Sequence, residues 1–214
     1  MNSERFWAVY AQSYDLMWDS PVTAATRAVV QSQLGAVSSV VDLGSGTGLM
    51  SAGLVERGVE VIGVDSSAAM LERAASRLTE TVRAPAEAVP LEDATADAVI
   101  IGNLLHLHPH PAAVVDEARR LLKPGGVIVA TWPVPGLTPA AIWRADRDAG
   151  RALLPSLRAQ VLRLRTGLLA ARAGGVVAAR ASGAHDTASL LAALGLDPAH
   201  PVTTVAGCQQ VAVL

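Results

Sequence analysis

Between Val37 and Val129, short β-branched runs alternate with segments of helical period, the pattern of βαβ units that build a parallel sheet. The pattern predicts a first strand over Ser39–Leu43, a helix over Leu49–Arg57 stopped at Gly58, and a second strand over Val59–Val64. A second helix is expected over Ser67–Thr79, capped by Ser66 or Ser67, and a third strand near Thr81–Ala84. Asp97–Ile101 is apolar after its acid, as in a strand covered on both faces, which places it mid-sheet. Pro111–Leu122 has the first-turn proline and spacing of a helix; Lys123-Pro124-Gly125-Gly126 closes it, and Val127–Trp132 is a fifth strand. A long helical region is predicted over Pro139–Ala173. The tail reads as a helix (Ala188–Leu194), a strand (Val202–Val205), a turn at Gly207 and a strand (Gln209–Val213). Two strands joined by so short a turn must run antiparallel. The expected fold is therefore α/β, a doubly wound seven-stranded sheet of five parallel strands followed by an antiparallel pair.

The 214 residues suffice for one domain with its own core, and 51% hydrophobic with 17% charged residues excludes a disordered or collagen-like chain. Aromatic residues make up 3% and the net charge is −2, so no basic or base-stacking footprint for nucleic acid is present, and a small molecule is the expected partner. The single cysteine, Cys208, excludes an internal disulfide and a multi-cysteine metal site. Glu4, Arg5, Asp15 and Asp19 interrupt the first twenty residues, which therefore lack the apolar core of a signal peptide, and other uncharged runs fall short of a membrane span. A cytoplasmic protein with no membrane association, monomeric or homodimeric, is the expectation. Arginine outnumbers lysine sixteen to one, in keeping with a GC-rich bacterial genome.

Gly44-Ser45-Gly46-Thr47-Gly48 lies where the first strand meets the next segment, a place where glycine lets a ligand approach backbone N–H groups. Leu49 stands where a dinucleotide fingerprint would need its third glycine, which argues against NAD. Asp65 ends the second strand, where a carboxylate can accept both hydroxyls of a ribose. Together the two features describe an adenosine pocket.

On these residues the chain resembles the class I S-adenosylmethionine-dependent methyltransferases, in particular their small-molecule (type 11-like) group. The likeness runs through Val41–Gly48, Gly63-Val64-Asp65-Ser66-Ser67, Met70–Ala74, Ala86-Glu87 with Pro90, Asp97–Val99 and Glu117–Gly126. It implies a Rossmann-like fold with a helical cap insertion: an N-terminal helical lid over 1–36, a cofactor-binding core over 37–132, a cap over 133–180, and a closing helix with antiparallel strands over 181–214. It also implies S-adenosyl-L-methionine as cofactor and S-adenosyl-L-homocysteine as product. Carried over residue by residue, Gly44, Ser45 and Gly46 would face the methionine part, Asp65 and its neighbour Ser66 the ribose, and Met70 the adenine face. Ala86 and Glu87 would border the adenine edge, Asn103 and Leu104 the methyl-transfer side, and Asp42 would organise the loop through its amides. Tyr14 would close over the methionine carboxylate or, alternatively, anchor the first helix. Two departures stand out: Pro85 replaces the acid usual before Ala86-Glu87, and the usual adjacent histidine pair appears as His106-Leu107-His108.

Methyl transfer from a sulfonium needs a placed nucleophile more than a base, although a hydroxyl acceptor would call for one, with histidine the natural choice. His106, His108 and His110 follow the fourth strand at the carboxyl edge of the sheet, where open α/β sheets bind ligands. His108 is the candidate base, His106 a candidate with a structural alternative, and His110, between two prolines, a surface residue. His185, beside Asp186, is a further candidate. No acid or cysteine completes a metal site there apart from Asp116, so none is expected. Phe6, Trp7, Tyr10, Tyr14 and Trp18 gather five of the seven aromatic residues near the N-terminus, as a lid over a flat acceptor or as a packed helix face. Arg144, Arg151, Arg158, Arg165 and Arg172 recur every seven residues beside a stripe of Leu154, Leu157, Val161, Leu164 and Leu168, the pattern of an amphipathic helix with a basic flank that is solvated or, alternatively, meets an anionic acceptor group or a dimer seam. Chemistries other than transfer, such as cyclisation, or cofactor binding without turnover, would use the same pocket.

Overall fold

The computed structural model describes residues 3–172, 186–197 and 199–214. Its sheet has seven strands, β1 (Ser39–Leu43), β2 (Glu60–Asp65), β3 (Glu80–Arg83), β4 (Ala96–Gly102), β5 (Leu122–Pro133), β6 (Thr203–Val205) and β7 (Gln209–Val213), in the order β3-β2-β1-β4-β5-β7-β6. The first five are parallel, and β7 runs antiparallel to both β5 and β6. The expected architecture is therefore the observed one.

Side chains alternate across the sheet with the two-residue period of a strand. Val40, Val61, Ala98, Ile100, Val129 and Val211 pack with Val30 of α2 (Pro21–Gln33), with Leu34 just after it, and with Ala74 of α3 (Ala68–Ala74). Val41, Val64, Val99, Ile101, Ala130 and Ala212 face the other way, against α4 (Pro111–Leu121) and Leu190, Leu191 and Leu194 in and just after α7 (Thr187–Ala193). β1 and β4 thus carry apolar residues on both faces, as doubly covered strands must. The remaining helices are α1 (Ser3–Trp18), α5 (Pro139–Asp148) and α6 (Leu153–Arg172).

Four local expectations are corrected. The helix expected over Leu49–Arg57 is a series of turns ending in a 3-10 turn at Val55–Arg57. Gly53 sits there at φ 85°, and side chains take the carbonyls that a helix would use: Arg27 donates to Leu49, and Gln31 to both Met50 and Ala52. The helix expected to Thr79 stops at Ala74. β5 begins at Leu122 because Lys123–Gly126 form an irregularity in the strand, with Ala96 opposite Leu122 but Ala98 opposite Val127. The long helix expected over Pro139–Ala173 is divided at Gly150 (φ 95°) into α5 and α6.

In α6 the polarity is turned inside out. Leu153, Leu154, Leu157, Val161 and Leu164 are all exposed, Leu154 by 78%, whereas Ser156 and Arg163 are buried. Arg144, Arg158 and Arg165 form the expected solvated flank, but Arg151 is buried; Leu168 and the Arg172 side chain lie outside the described side chains.

The β6–β7 turn places Ala206 (φ 50°) and Gly207 (φ 63°) in the left-handed region, closed by the Cys208 N–H donating to the Val205 carbonyl at 3.0 Å. Two consecutive left-handed residues are the pattern that Asn-Gly satisfies and alanine resists. Ala206→Asn is expected to stabilise the protein by about 0.5–1 kcal/mol, read as a rise in Tm of roughly 1–4 °C; an unchanged or lower Tm would show that the turn is not of this type.

Candidate functional site

The glycine loop leaves β1 at the carboxyl edge of the sheet and turns back onto β2. The N–H groups of Gly44 and Ser45 both donate to the Val64 carbonyl, at 2.8 and 3.0 Å. Gly44 (φ 69°) has no room for a side chain, because a Cβ would lie 2.8 Å from Leu104. The Asp65 carboxylate accepts from the Gly46 N–H at 2.9 Å and from the Ser67 N–H at 2.8 Å, so one side chain ties the loop to the start of α3. Burial pushes its carboxyl above the ordinary range, and those amide bonds hold it down.

Asp42 is buried and accepts from the Ser51 hydroxyl at 2.5 Å, not from the loop amides that the resemblance implied. Burial raises its carboxyl to about 7, the Ser51 bond opposes the rise, and the Asp65 charge adds to it. Tyr14 stands edge-on to Tyr10 at 5.2 Å, in a run of ring contacts from Phe6 through Trp18. Its hydroxyl feels the charges of Asp65 and Asp42, and burial raises its pKa most. The structure thus gathers Tyr14, Asp42, Gly44, Ser45, Gly46, Asp65 and Leu104 at one edge.

Asn103 follows β4 in the left-handed region (φ 54°), its N–H shared between the Thr131 carbonyl and hydroxyl. Asparagine is one of the few non-glycine residues that adopt this conformation readily. Ser66 lends its carbonyl to Arg83, Met70 is buried inside α3, and Ala86 packs against the core. Glu87 meets His108: Nε2 lies 3.2 Å from the carboxylate, while Nδ1 accepts from the His110 N–H at 3.1 Å. The neutral ring consistent with both contacts carries its proton on Nε2, so its lone pair faces the His110 amide. His106 is the middle residue of the 3-10 turn Leu105–Leu107, just before His108, and His185 lies outside the described residues. Among the described residues no group of three His, Cys, Asp or Glu could hold a metal ion.

Sequence reasoning missed the clamp on the loop's far side. Asp15 of α1 accepts from the Thr47 hydroxyl at 2.6 Å and pairs with Arg77 at 2.8 Å, and Arg77 also donates to the Thr47 carbonyl at 2.7 Å. Asp15 and Arg77 are 62 positions apart, and neither belongs to a motif, so only the fold reveals their meeting.

Residues 41–130 match a family model described as a methyltransferase domain. An uncharacterized methyltransferase of Mycobacterium tuberculosis is 40% identical over 99 residues, covering 45% of this chain and 40% of that protein. A demethylmenaquinone methyltransferase of Clavibacter sepedonicus is 39% identical over 130 residues, covering 56% and 51% respectively. The chain therefore spans about half the length of these curated relatives, or less. Among solved structures, a SAM-dependent methyltransferase of Thermotoga maritima superposes with a TM-score of 0.64 over 99% of this chain and 98% of that one, at 18% identity. One from Aquifex aeolicus gives 0.59 over 100% and 97%, at 14% identity. At such identities the two share its fold.

Asp42 ties stability to pH. Its folded-state pKa of about 7 exceeds its unfolded value of 3.8, so the folded state holds a proton between those limits that the unfolded state has lost. Stability from this group falls as pH rises from about 4 to about 7 and levels off above. The lowered carboxyls of Asp97, held by Lys123, and Glu117, held by Arg120, act oppositely, below pH about 4. Asp42→Asn should flatten the decline and raise stability at pH 8 by about 2–4 kcal/mol, measured by urea unfolding at pH 4.5, 6 and 8; an unchanged slope would place the proton elsewhere.

Proposed function

We propose that the chain is a class I S-adenosylmethionine-dependent methyltransferase that transfers a methyl group from that cofactor to a small-molecule acceptor, a reading supported by the methyltransferase-domain match over residues 41–130 and by the methyltransferase relatives. The observation that carries the reading is Asp65, a partly buried strand-end carboxylate bonded to the amides of Gly46 and Ser67 directly beside the glycine loop. The residues present fit the cofactor: Ser45 Oγ is buried with no hydrogen-bond partner, and Leu104 closes on Gly44 where any larger residue would collide. When bound, S-adenosylmethionine supplies a methyl already activated by its sulfonium, which the acceptor's lone pair takes in line as the sulfur–carbon pair returns to sulfur.

In this reading Asp65 receives the ribose hydroxyls, with Ser66 next to it, and Gly44, Ser45 and Gly46 receive the methionine end. Met70, Ala86 and Glu87 shape the adenine side, and Tyr14 shields the methionine carboxylate. Asn103 and Leu104 border the transferring methyl. Asp42 supports the loop through Ser51. His108, with both ring nitrogens engaged, joins the Glu87 turn to the segment after β4, so orientation supplies most of the rate. His106 sits on the same turn, and His185 keeps its place as a second candidate base. The demethylmenaquinone relative supports an acceptor of metabolite size.

Titration calorimetry with S-adenosylmethionine and S-adenosylhomocysteine, against NAD as control, is expected to give affinities of micromolar order for the first two and none for NAD. Asp65→Ala should weaken both by at least about 100-fold, or roughly 2.7 kcal/mol; undiminished affinity would move the cofactor elsewhere. His108→Asn should keep kcat within about 10-fold at both pH 6 and pH 8, whereas a far larger loss at one pH alone would make this ring the base.

A further inference from the structure

The cap meets α1 through buried charge. Asp146 of α5 accepts, through Oδ2, from Arg151 Nη1 at 3.0 Å and from Arg163 Nη2 at 3.1 Å, and all three side chains are at least nine-tenths buried. Arg151 Nη2 also donates to the Leu16 carbonyl at 2.8 Å, and Arg163 Nη2 to the Met17 carbonyl at 2.6 Å. The Arg163 guanidinium lies 4.9 Å from the centre of the Trp18 ring.

The charges do not balance. Among the described residues two guanidinium cations share one carboxylate, and carbonyl dipoles and a ring face supply no countercharge. Neither do the bonds balance: Nε and Nη1 of Arg163 and Oδ1 of Asp146 are buried with no hydrogen-bond partner among the described residues. An unmatched buried cation is costly, and Asp146 already has one cationic partner in Arg151. A group kept at such a cost has a partner still to come.

The cluster also lies in the right direction. Tyr14 stands within reach of the Asp65 and Asp42 charges, Tyr10 packs on Tyr14, and Arg163 acts on Tyr10 from beyond. Arg163 thus lies against the Trp18 ring, which itself meets Tyr14 at 6.5 Å and donates to the Tyr10 hydroxyl at 2.7 Å, so one aromatic layer joins the cluster to the residues beside the glycine loop.

We propose that Arg163 anchors the methyl acceptor, its free Nε and Nη1 N–H bonds holding an anionic oxygen while Asp146 Oδ1 takes a hydroxyl hydrogen of the same molecule. The acceptor is then a small hydroxylated organic acid or an ionised enol or phenol that also bears a hydroxyl. This rests on the methyl-transfer reading above and adds the acceptor's chemical class to it.

The test uses the protein loaded with S-adenosylhomocysteine, titrated with salicylate and with its neutral counterpart salicylamide. Salicylate should bind at least 10-fold more tightly than salicylamide and raise the Tm of the loaded protein. Arg163→Met, or Arg163→Gln if that variant does not fold, should bind S-adenosylhomocysteine as before and lose the preference to within about 2-fold, with a Tm no lower than that of the unaltered protein. A preference that survives in the variant, or that is absent in the unaltered protein, overturns the proposal and leaves methyl transfer standing. Failure to bind S-adenosylhomocysteine at all defeats the methyl-transfer reading, and this proposal with it.

Discussion

The Asp65 carboxylate holds the active edge together. Its two oxygens reach backwards to Gly46 and forwards to Ser67, so a single side chain joins the turn after β1 to the helix start after β2. Both contacts are to backbone N–H groups, which a rigid sheet presents at fixed positions, and their strength comes from an ionised acceptor in a poorly hydrated place. Asp42 sits one strand over without such amides and is left with Ser51 alone. This contrast explains why burial carries Asp42 to neutral pH whereas amide bonds restrain Asp65.

The sheet was legible because its signals are local: runs of Val and Ile bounded by glycine, an acid opening β4, and a turn too short for anything but a hairpin. Asp65 and the glycine loop could be read for the same reason, since spacing alone locates them. Failures fell where tertiary contacts override local preference. Residues 49–57 have helical spacing, yet Arg27 and Gln31, some twenty positions earlier, take the carbonyls a helix would use. The Asp15–Thr47–Arg77 clamp and the Arg163–Asp146–Arg151 cluster join segments by chain reversals that no periodicity announces. The leucine stripe of α6 was read correctly as a stripe, but its direction depends on Asp146 drawing Arg163 inward.

α1 is the element through which these parts communicate. Its Asp15 binds the loop, its Tyr14 and Tyr10 lie over the edge where the loop turns, and its last carbonyls meet the arginines of the cap. Within about two turns one helix therefore touches the aromatic layer, the glycine loop and the α5–α6 region.

The two outermost strands differ from the rest in length. β3 has four residues and β6 three, against twelve in β5, and most of their side chains lie partly or fully open to water: Glu80 and Arg83 on one rim, Thr203 and Thr204 on the other. Each rim therefore offers only a brief row of unpaired N–H and C=O groups, at β3 flanked by opposite charges. A stray chain that tried to extend the sheet would gain a few hydrogen bonds and little buried carbon. The apolar strands that make the centre so strongly β-forming are thus fenced from the intermolecular pairing they would otherwise invite.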